Sequence, residues 1–269
     1  VLIYGEPWTG GGPTRFGKGA QRNTNVAVFN DNFRNALRGE LDGPAPGFIT
    51  TGNNVDAVKE GILGSINTFA QKPSESINYI SAHDNLTLND KLALLNLTPE
   101  FKKRAQTLAT ATVLLSQGIP FLEGGVELGR TKGGNHNSYN AGDEANKFDW
   151  QAAQNHLDTA AITRQFIRLR RTLNTFDKRT PIKIEFAPSP EGTVAYKIVT
   201  STTYFVVLNG TLESKSITMP DSRQWYLFHD NLSIKTAPTA AKAETTVQPL
   251  TVTVYLPHKE FQTATPYKY

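Results

Sequence analysis

The chain has 269 residues, 38% of them hydrophobic and 19% charged, which is an ordinary globular composition with material for one large core or two modest ones. The net charge of +4 is spread thinly. Its densest basic patch, Arg164, Arg168, Arg170 and Arg171, has helical spacing and reads as a solvated helix face, which argues against a nucleic-acid partner. There is no cysteine, so disulfides, cysteine–zinc sites and thiol chemistry are excluded, and no apolar run approaches the ~20 residues of a membrane span.

Residues 1–4 form a continuous apolar run ending at Gly5, which predicts a short buried strand. A natural chain seldom begins inside such a strand without a Met, so further residues are expected upstream. The Gly-rich segment 9–25 lacks the Lys-Ser/Thr ending of a phosphate loop and reads as a strand-to-helix connection. Residues 26–29 predict a second strand, and Asp31 to Arg38 a helical turn. Beyond the Gly/Pro segment 39–47, a helix is expected over 55–69 with Val58, Ile62 and Ile66 on one face. Pro73 breaks it, and 77–82 reads as a third strand. Thr98 is a good N-cap with Pro99 at the first helical position, for a helix running to about Gln117 and stopped by Gly118. A fourth strand is expected at 119–122, then a long Gly- and Asn-rich loop over 124–150. Asp158 should cap a last helix with an apolar stripe of Ile162, Phe166, Leu169 and Leu173.

After about Asp177 helical periodicity gives way to short β-rich runs at 193–199, 204–208, 215–219, 224–229 and 247–256. Turn-type segments at 188–192 and Asn209-Gly210 separate them, and the Ala/Thr/Lys-rich stretch 236–246 reads as a loop. Two domains follow: an α/β domain over 1–176 and a small all-β sandwich over 177–269. The α/β domain repeats strand, loop and helix four times, which implies a parallel sheet. Half of an eightfold β/α barrel or a small doubly wound sheet would satisfy that pattern. Long polar loops after the strand C-termini favour the barrel, whose sites are built there.

Two carboxylates stand at such strand ends, Glu6 in Tyr4-Gly5-Glu6-Pro7-Trp8 and Asp84 in Ser81-Ala82-His83-Asp84-Asn85. Trp8 offers a stacking face for a sugar, and His83 and Asn85 offer hydroxyl ligands. Glycoside hydrolysis needs an acid for the leaving oxygen and carboxylates for the oxocarbenium-like transition state. Read singly, Glu6 is equally well a loop carboxylate and Asp84 an N-cap or Asx-turn residue.

Five segments occur in one order: Tyr4 to Trp8; Val28-Phe29-Asn30-Asp31; Ile77 to Asn85; Gln117-Gly118-Ile119-Pro120-Phe121; and Gly134-Asn135-His136-Asn137-Ser138-Tyr139-Asn140-Ala141-Gly142-Asp143. In that order the chain resembles the C-terminal half of type I pullulanases, a debranching branch of the α-amylase superfamily (glycoside hydrolase family 13). The likeness covers residues 1 to about 175 closely, and the β-rich tail resembles that family's C-terminal sandwich.

The resemblance implies strands five to eight of a (β/α)8 barrel, with Glu6 as the general acid/base, Asp84 as the transition-state-stabilising carboxylate and His83 as a substrate ligand. It implies glucan subsite roles for Trp8, Asn85, Asn135, Asn137, Tyr139, Asn140 and Asp143. Glu6 has to be protonated to act, so burial beside other carboxylates is expected. The family's nucleophile, an aspartate in an Arg-x-Asp motif, has no counterpart, because no Arg-x-Asp occurs in this chain. A retaining mechanism cannot run without it. The expected partners are therefore a branched α-glucan and the N-terminal half of the same enzyme, as a separate chain or a lost segment. The second reading is a non-catalytic glucan-binding or assembly fragment. No cofactor is required, although loop Asp and Asn residues leave calcium open as a ligand. Nothing fixes the compartment; a secreted or cell-surface location is slightly favoured over a cytoplasmic one.

Overall fold

Alternation along two short strands sets the architecture of the N-terminal region. In a computed structural model, which describes residues 1–9, 12–13, 16–173, 181–233 and 237–257, strands β1 (Ile3–Gly5), β2 (Val26–Phe29), β3 (Ser76–Asn78) and β4 (Ile119–Pro120) form a parallel sheet in that order. Ala27, Phe29, Ile77 and Tyr79 gather on one face with Ile119 and Phe121. Their sequence neighbours turn the other way. Val28 packs with Phe69 and Ala70, while Asn30 donates to Ser65 Oγ (2.8 Å), Ser76 Oγ (3.1 Å) and Asn78 Oδ1 (3.1 Å). Asn78 in turn donates to the Gln117 carbonyl at 2.6 Å, so a fully partnered polar network stitches β2, β3 and the entry to β4.

Helices α1 (Asp31–Arg38), α2 (Phe48–Thr51), α3 (Val55–Ile62), α4 (Leu88–Ala93), α5 (Pro99–Leu114), α6 (Asp143–Asn146) and α7 (Leu157–Leu173) fill the connections. Thr98 accepts the Phe101 N–H at 3.2 Å and Pro99 opens α5, as its sequence predicts. The stripe Ile162, Phe166, Leu169 and Leu173 is buried. Asp158, expected as the cap, lies inside the first turn of α7 and pairs with Lys103 at 3.0 Å.

Three expectations are corrected. The strand at residues 1–4 is exposed, because β1 is a sheet edge paired only with β2 among the described residues. The helix expected over 55–69 ends at Ile62, where Gly64 (φ 76°) and Ser65 (φ 57°) turn the chain left-handed. Strands three and four are shorter than expected, since β4 holds two residues and one of them, Pro120, has no N–H to donate.

The C-terminal region contains β5 (Lys183–Ala187), β6 (Thr193–Val199), β7 (Thr203–Asn209), β8 (Lys215–Thr218), β9 (Trp225–Asp230), β10 (Thr239–Ala240), β11 (Glu244–Val247) and β12 (Thr251–Pro257). Six strands form one antiparallel sheet, ordered β10-β9-β12-β7-β6-β5, and β8 pairs with β11 separately. The stretch expected as a loop over 236–246 holds β10 and the start of β11, where β-branched Thr245 and Thr246 pair with Ile217 and Ser216.

Val194, Tyr196, Ile198, Val206, Leu208 and Val254 share one apolar cluster with Leu108, Ala111, Leu115, Ile162, Phe166 and Leu169 of the helical region. Ala195, Phe205, Val207 and Tyr255, on the other face, are closed off by Ile217, Met219 and Val247. The expected boundary at 176/177 falls outside the described residues; on either side of it, helices and sheet share one core. No helix among the described residues is long and apolar enough to cross a membrane.

Candidate active site

Parallel strands deliver their C-termini to one rim, and the chemistry-bearing residues follow them there. Neighbouring strands lie about 4.8 Å apart, so β1 and β3, separated by β2, stand about 10 Å apart. Glu6 follows β1 and His83 and Asp84 follow β3, and in a cleft that Phe29 also lines, one ligand atom from each of the three lies within 4.8 Å of the others. The cleft they line has a volume of about 360 Å³, with Trp8, Arg34, Arg38, Tyr79 and Asn85 on its walls. Its floor is aromatic: Phe29 meets Tyr79 edge to face at 4.9 Å and Phe121 at 5.2 Å.

Trp8 Nε1 donates to Glu6 Oε2 at 3.0 Å, and His83 Nε2 lies 3.5 Å from Asp84 Oδ1. Glu6, His83 and Asp84 are all exposed, so the burial expected of Glu6 is not found. Edge strand β1 has no neighbour on its outer side among the described residues to shield the carboxylate.

Sequence reasoning passed over the residues that hold this rim. Arg38 is buried and donates to the carbonyls of Ile80 (3.0 Å), Leu86 (2.9 Å) and Leu41 (3.0 Å), fastening the exit of β3 to α1. Burial, and then the neighbouring Arg34 charge, pull its guanidinium down to about 10. Arg34 donates to the Tyr79 hydroxyl at 2.6 Å. Burial pushes that phenol up to about 12 against the opposing pull of Arg34, so the floor stays neutral. Asp42 accepts from Asn85 Nδ2 at 2.7 Å and from the Leu86 N–H at 2.9 Å, which stabilises the left-handed Asn85 (φ 65°). Lys132 donates its ammonium hydrogen to the His83 carbonyl. The only hint of these roles in the sequence is a charged residue at an otherwise apolar position, as for Arg38 on α1.

The expected loop ligands fall elsewhere. Asn135, Asn137, Tyr139, Asn140 and Asp143 do not line the cleft. Asn135 accepts the Asn137 N–H at 2.9 Å, Tyr139 is 78% exposed, and Asp143 opens α6. The loop reaches the rim through His136, whose Nδ1 lies 3.9 Å from Asp42 Oδ2. Glu6, His83 and Asp84 are close enough to share a metal ion, but two carboxylates and an imidazole do not match the six to eight oxygens that calcium takes.

No family model matches the chain. It is 33% identical over 253 residues to the pullulanase of Bacillus subtilis (strain 168), covering 86% of this chain and 34% of that protein. Its fold superposes on the pullulanase from Bacillus acidopullulyticus with a TM-score of 0.89 at 34% identity, over 95% of this chain and 34% of that one. In both sequence and fold the chain is similar to part of these pullulanases. A pullulanase type I from Bacillus subtilis str. 168, complexed with maltose, superposes with a TM-score of 0.88 at 29% identity, over 96% of this chain and 40% of that one. The chain thus spans about a third of the length of the curated pullulanase it matches. Its mixed helix and sheet content follows the pullulanase fold closely.

Proposed function

We propose that this chain carries the acid/base part of a retaining hydrolase that cleaves α-1,6 branch linkages in pullulan, starch or glycogen dextrins. One observation carries the reading: Glu6, His83 and Asp84, from two non-adjacent strands, bring their ligand atoms within 4.8 Å of one another over an aromatic floor. Glu6 protonates the glycosidic oxygen as the C–O bond breaks, Asp84 stabilises the positive charge on the sugar, and His83 binds a neighbouring hydroxyl. An aspartate outside this sequence attacks the anomeric carbon to form the glycosyl-enzyme. Glu6 then takes a proton from the water that releases the product. This chemistry needs no cofactor.

In this reading β1 to β4 are strands five to eight of a (β/α)8 barrel, residues 1–176 are its second half, and the antiparallel sheets are the C-terminal sandwich. The exposed outer edge of β1 would pair with strand four of the N-terminal half, the expected partner; an unpaired edge is otherwise an aggregation hazard. Asn135, Asn137, Tyr139, Asn140 and Asp143 would serve outer glucan subsites. An α-glucan substrate is supported by the maltose in the Bacillus subtilis pullulanase complex. A secreted or cell-surface location fits an enzyme acting on polymers too large to enter cells.

The test is to assay reducing sugar released from pullulan by this chain alone and mixed with the N-terminal portion of a related pullulanase. Turnover is expected only in the mixture, and turnover by the 269-residue chain alone would overturn the missing-nucleophile account. The absence of an Arg-x-Asp motif favours a second reading, a glucan-binding fragment without catalysis. Glu6→Gln separates the two, since it should leave dextrin binding nearly intact while reducing turnover of the mixture by ~10²–10⁴.

A further inference from the structure

The loop after β4 builds a second concavity, of about 300 Å³, beside the cleft. At its edge the Arg130 guanidinium sits 4.4 Å over the Phe148 ring, and Phe148 stacks on Trp150 with centroids 5.4 Å apart and planes 15° from parallel. The inner end of the stack is fixed. Arg130 donates to the Asn146 carbonyl at 2.9 Å and lies 3.7 Å from buried Glu123. The outer end is free: Trp150 is 66% exposed. A large indole left in water, yet backed by two layers that hold it flat, is a preorganised stacking surface and loses little conformational entropy on binding.

We propose that this stack is a second α-glucan-binding site, in which the outer face of Trp150 receives the apolar face of a glucose unit. Glu144 and Lys147 stand on the rim of the concavity, 3.2 Å from each other, and offer an acceptor and a donor to sugar hydroxyls. Charges of both signs around one aromatic plane suit a neutral, hydroxyl-rich ligand better than an anion or an apolar peptide. Lys132, on the wall of this concavity, is the residue that donates to the His83 carbonyl, so the site adjoins the proposed catalytic cleft. A chain held on Trp150 is thereby kept close to Glu6 and Asp84. The inference rests on the debranching reading for its choice of polymer.

The experiment is affinity electrophoresis of the complete 269-residue chain in gels containing amylopectin or barley β-glucan, comparing wild type with Trp150→Ala, Trp150→Phe and Trp8→Ala. Trp150→Ala should weaken retention by amylopectin about tenfold, the scale of one lost aromatic stack, and Trp150→Phe should restore most of it. Wild-type retention that Trp150→Ala leaves unchanged while Trp8→Ala lowers it would overturn the second site and leave the debranching reading standing. Equal retention by β-glucan would overturn it as an unselective aromatic contact. No retention of wild type would also overturn it, whereas the debranching reading stands or falls separately on turnover of the reconstituted mixture.

Discussion

Lys132, on the loop after β4, donates to the main-chain oxygen of His83, one residue before Asp84. Its own N–H meets Asp90 Oδ2 at 2.8 Å, so two loops from neighbouring strands are clamped around a buried ammonium. Cutting that clamp should move the carboxylate of Asp84 without removing it, and a displacement of about 1 Å can cost ~10²-fold in rate. Lys132→Met in the reconstituted enzyme should therefore lower kcat at least tenfold with a smaller change in KM for pullulan. A variant that changed KM alone would show that Lys132 acts on binding.

The bond from Trp8 Nε1 to Glu6 Oε2 makes two contributions separable. Trp8→Phe keeps a stacking face and loses the donor, so kcat should fall by about tenfold while dextrin affinity holds. Trp8→Ala loses both, and KM should rise as well. Initial rates over a maltosyl-branched dextrin series measure the two effects. Equal kcat for wild type and Trp8→Phe would show that the hydrogen bond does not orient the acid.

How far the sequence carries can be judged from particular residues. That Glu6 and Asp84 share a rim is legible because each follows a strand of one parallel sheet, and parallel strands end on the same side. The apolar stripe of α7 and the Thr98–Pro99 start of α5 are local patterns and appear as expected. Strand ends are less legible. Ser76 and Asn78 belong to β3 because a buried polar network satisfies them, and its partners Asn30 and Ser65 are distant in sequence. The positions of Asn135, Asn137, Tyr139, Asn140 and Asp143 depend on how a long loop closes on itself, through bonds such as Ser138 Oγ to Asn146 Oδ1 at 2.9 Å. Composition holds no signal for that closure.

The docking of the antiparallel sheet onto the helices passes through a glycine pair. Gly52 caps α2 at φ 75°, and a Cβ there would lie 2.4 Å from Gly192 Cα and 2.7 Å from its carbonyl oxygen. Gly52→Ala adds a left-handed penalty of ~1–2 kcal/mol to a clash with backbone that has no side chain to swing away. The expected loss of unfolding free energy is at least ~2 kcal/mol, read from urea midpoints at constant m. A shift within ~0.5 kcal/mol would mean that the two turns slide past each other freely.

Buried titratable groups in the same interface make stability depend on acid. His229, on β9, lies against Phe228 (4.2 Å) and Phe166 of α7 (6.2 Å), with the Gln165 amide at Nδ1. Burial pulls its imidazole down to about 3. In the unfolded chain the ring protonates near 6.5, so between the two values only the unfolded state takes up the proton. The stabilising contribution is therefore complete above about pH 6.5 and is lost progressively as pH falls toward 3. At pH 4 the loss approaches ~3 kcal/mol, to which carboxylates held low by partners, such as Asp158 beside Lys103 and Asp221 beside Arg223, add their own. His229→Gln keeps a polar group of similar reach but cannot titrate. It should be less stable than wild type at pH 7 and lose less between pH 7 and pH 4. Urea unfolding of both proteins at the two pH values measures the difference of slopes, and parallel losses would show that His229 takes no part in acid unfolding.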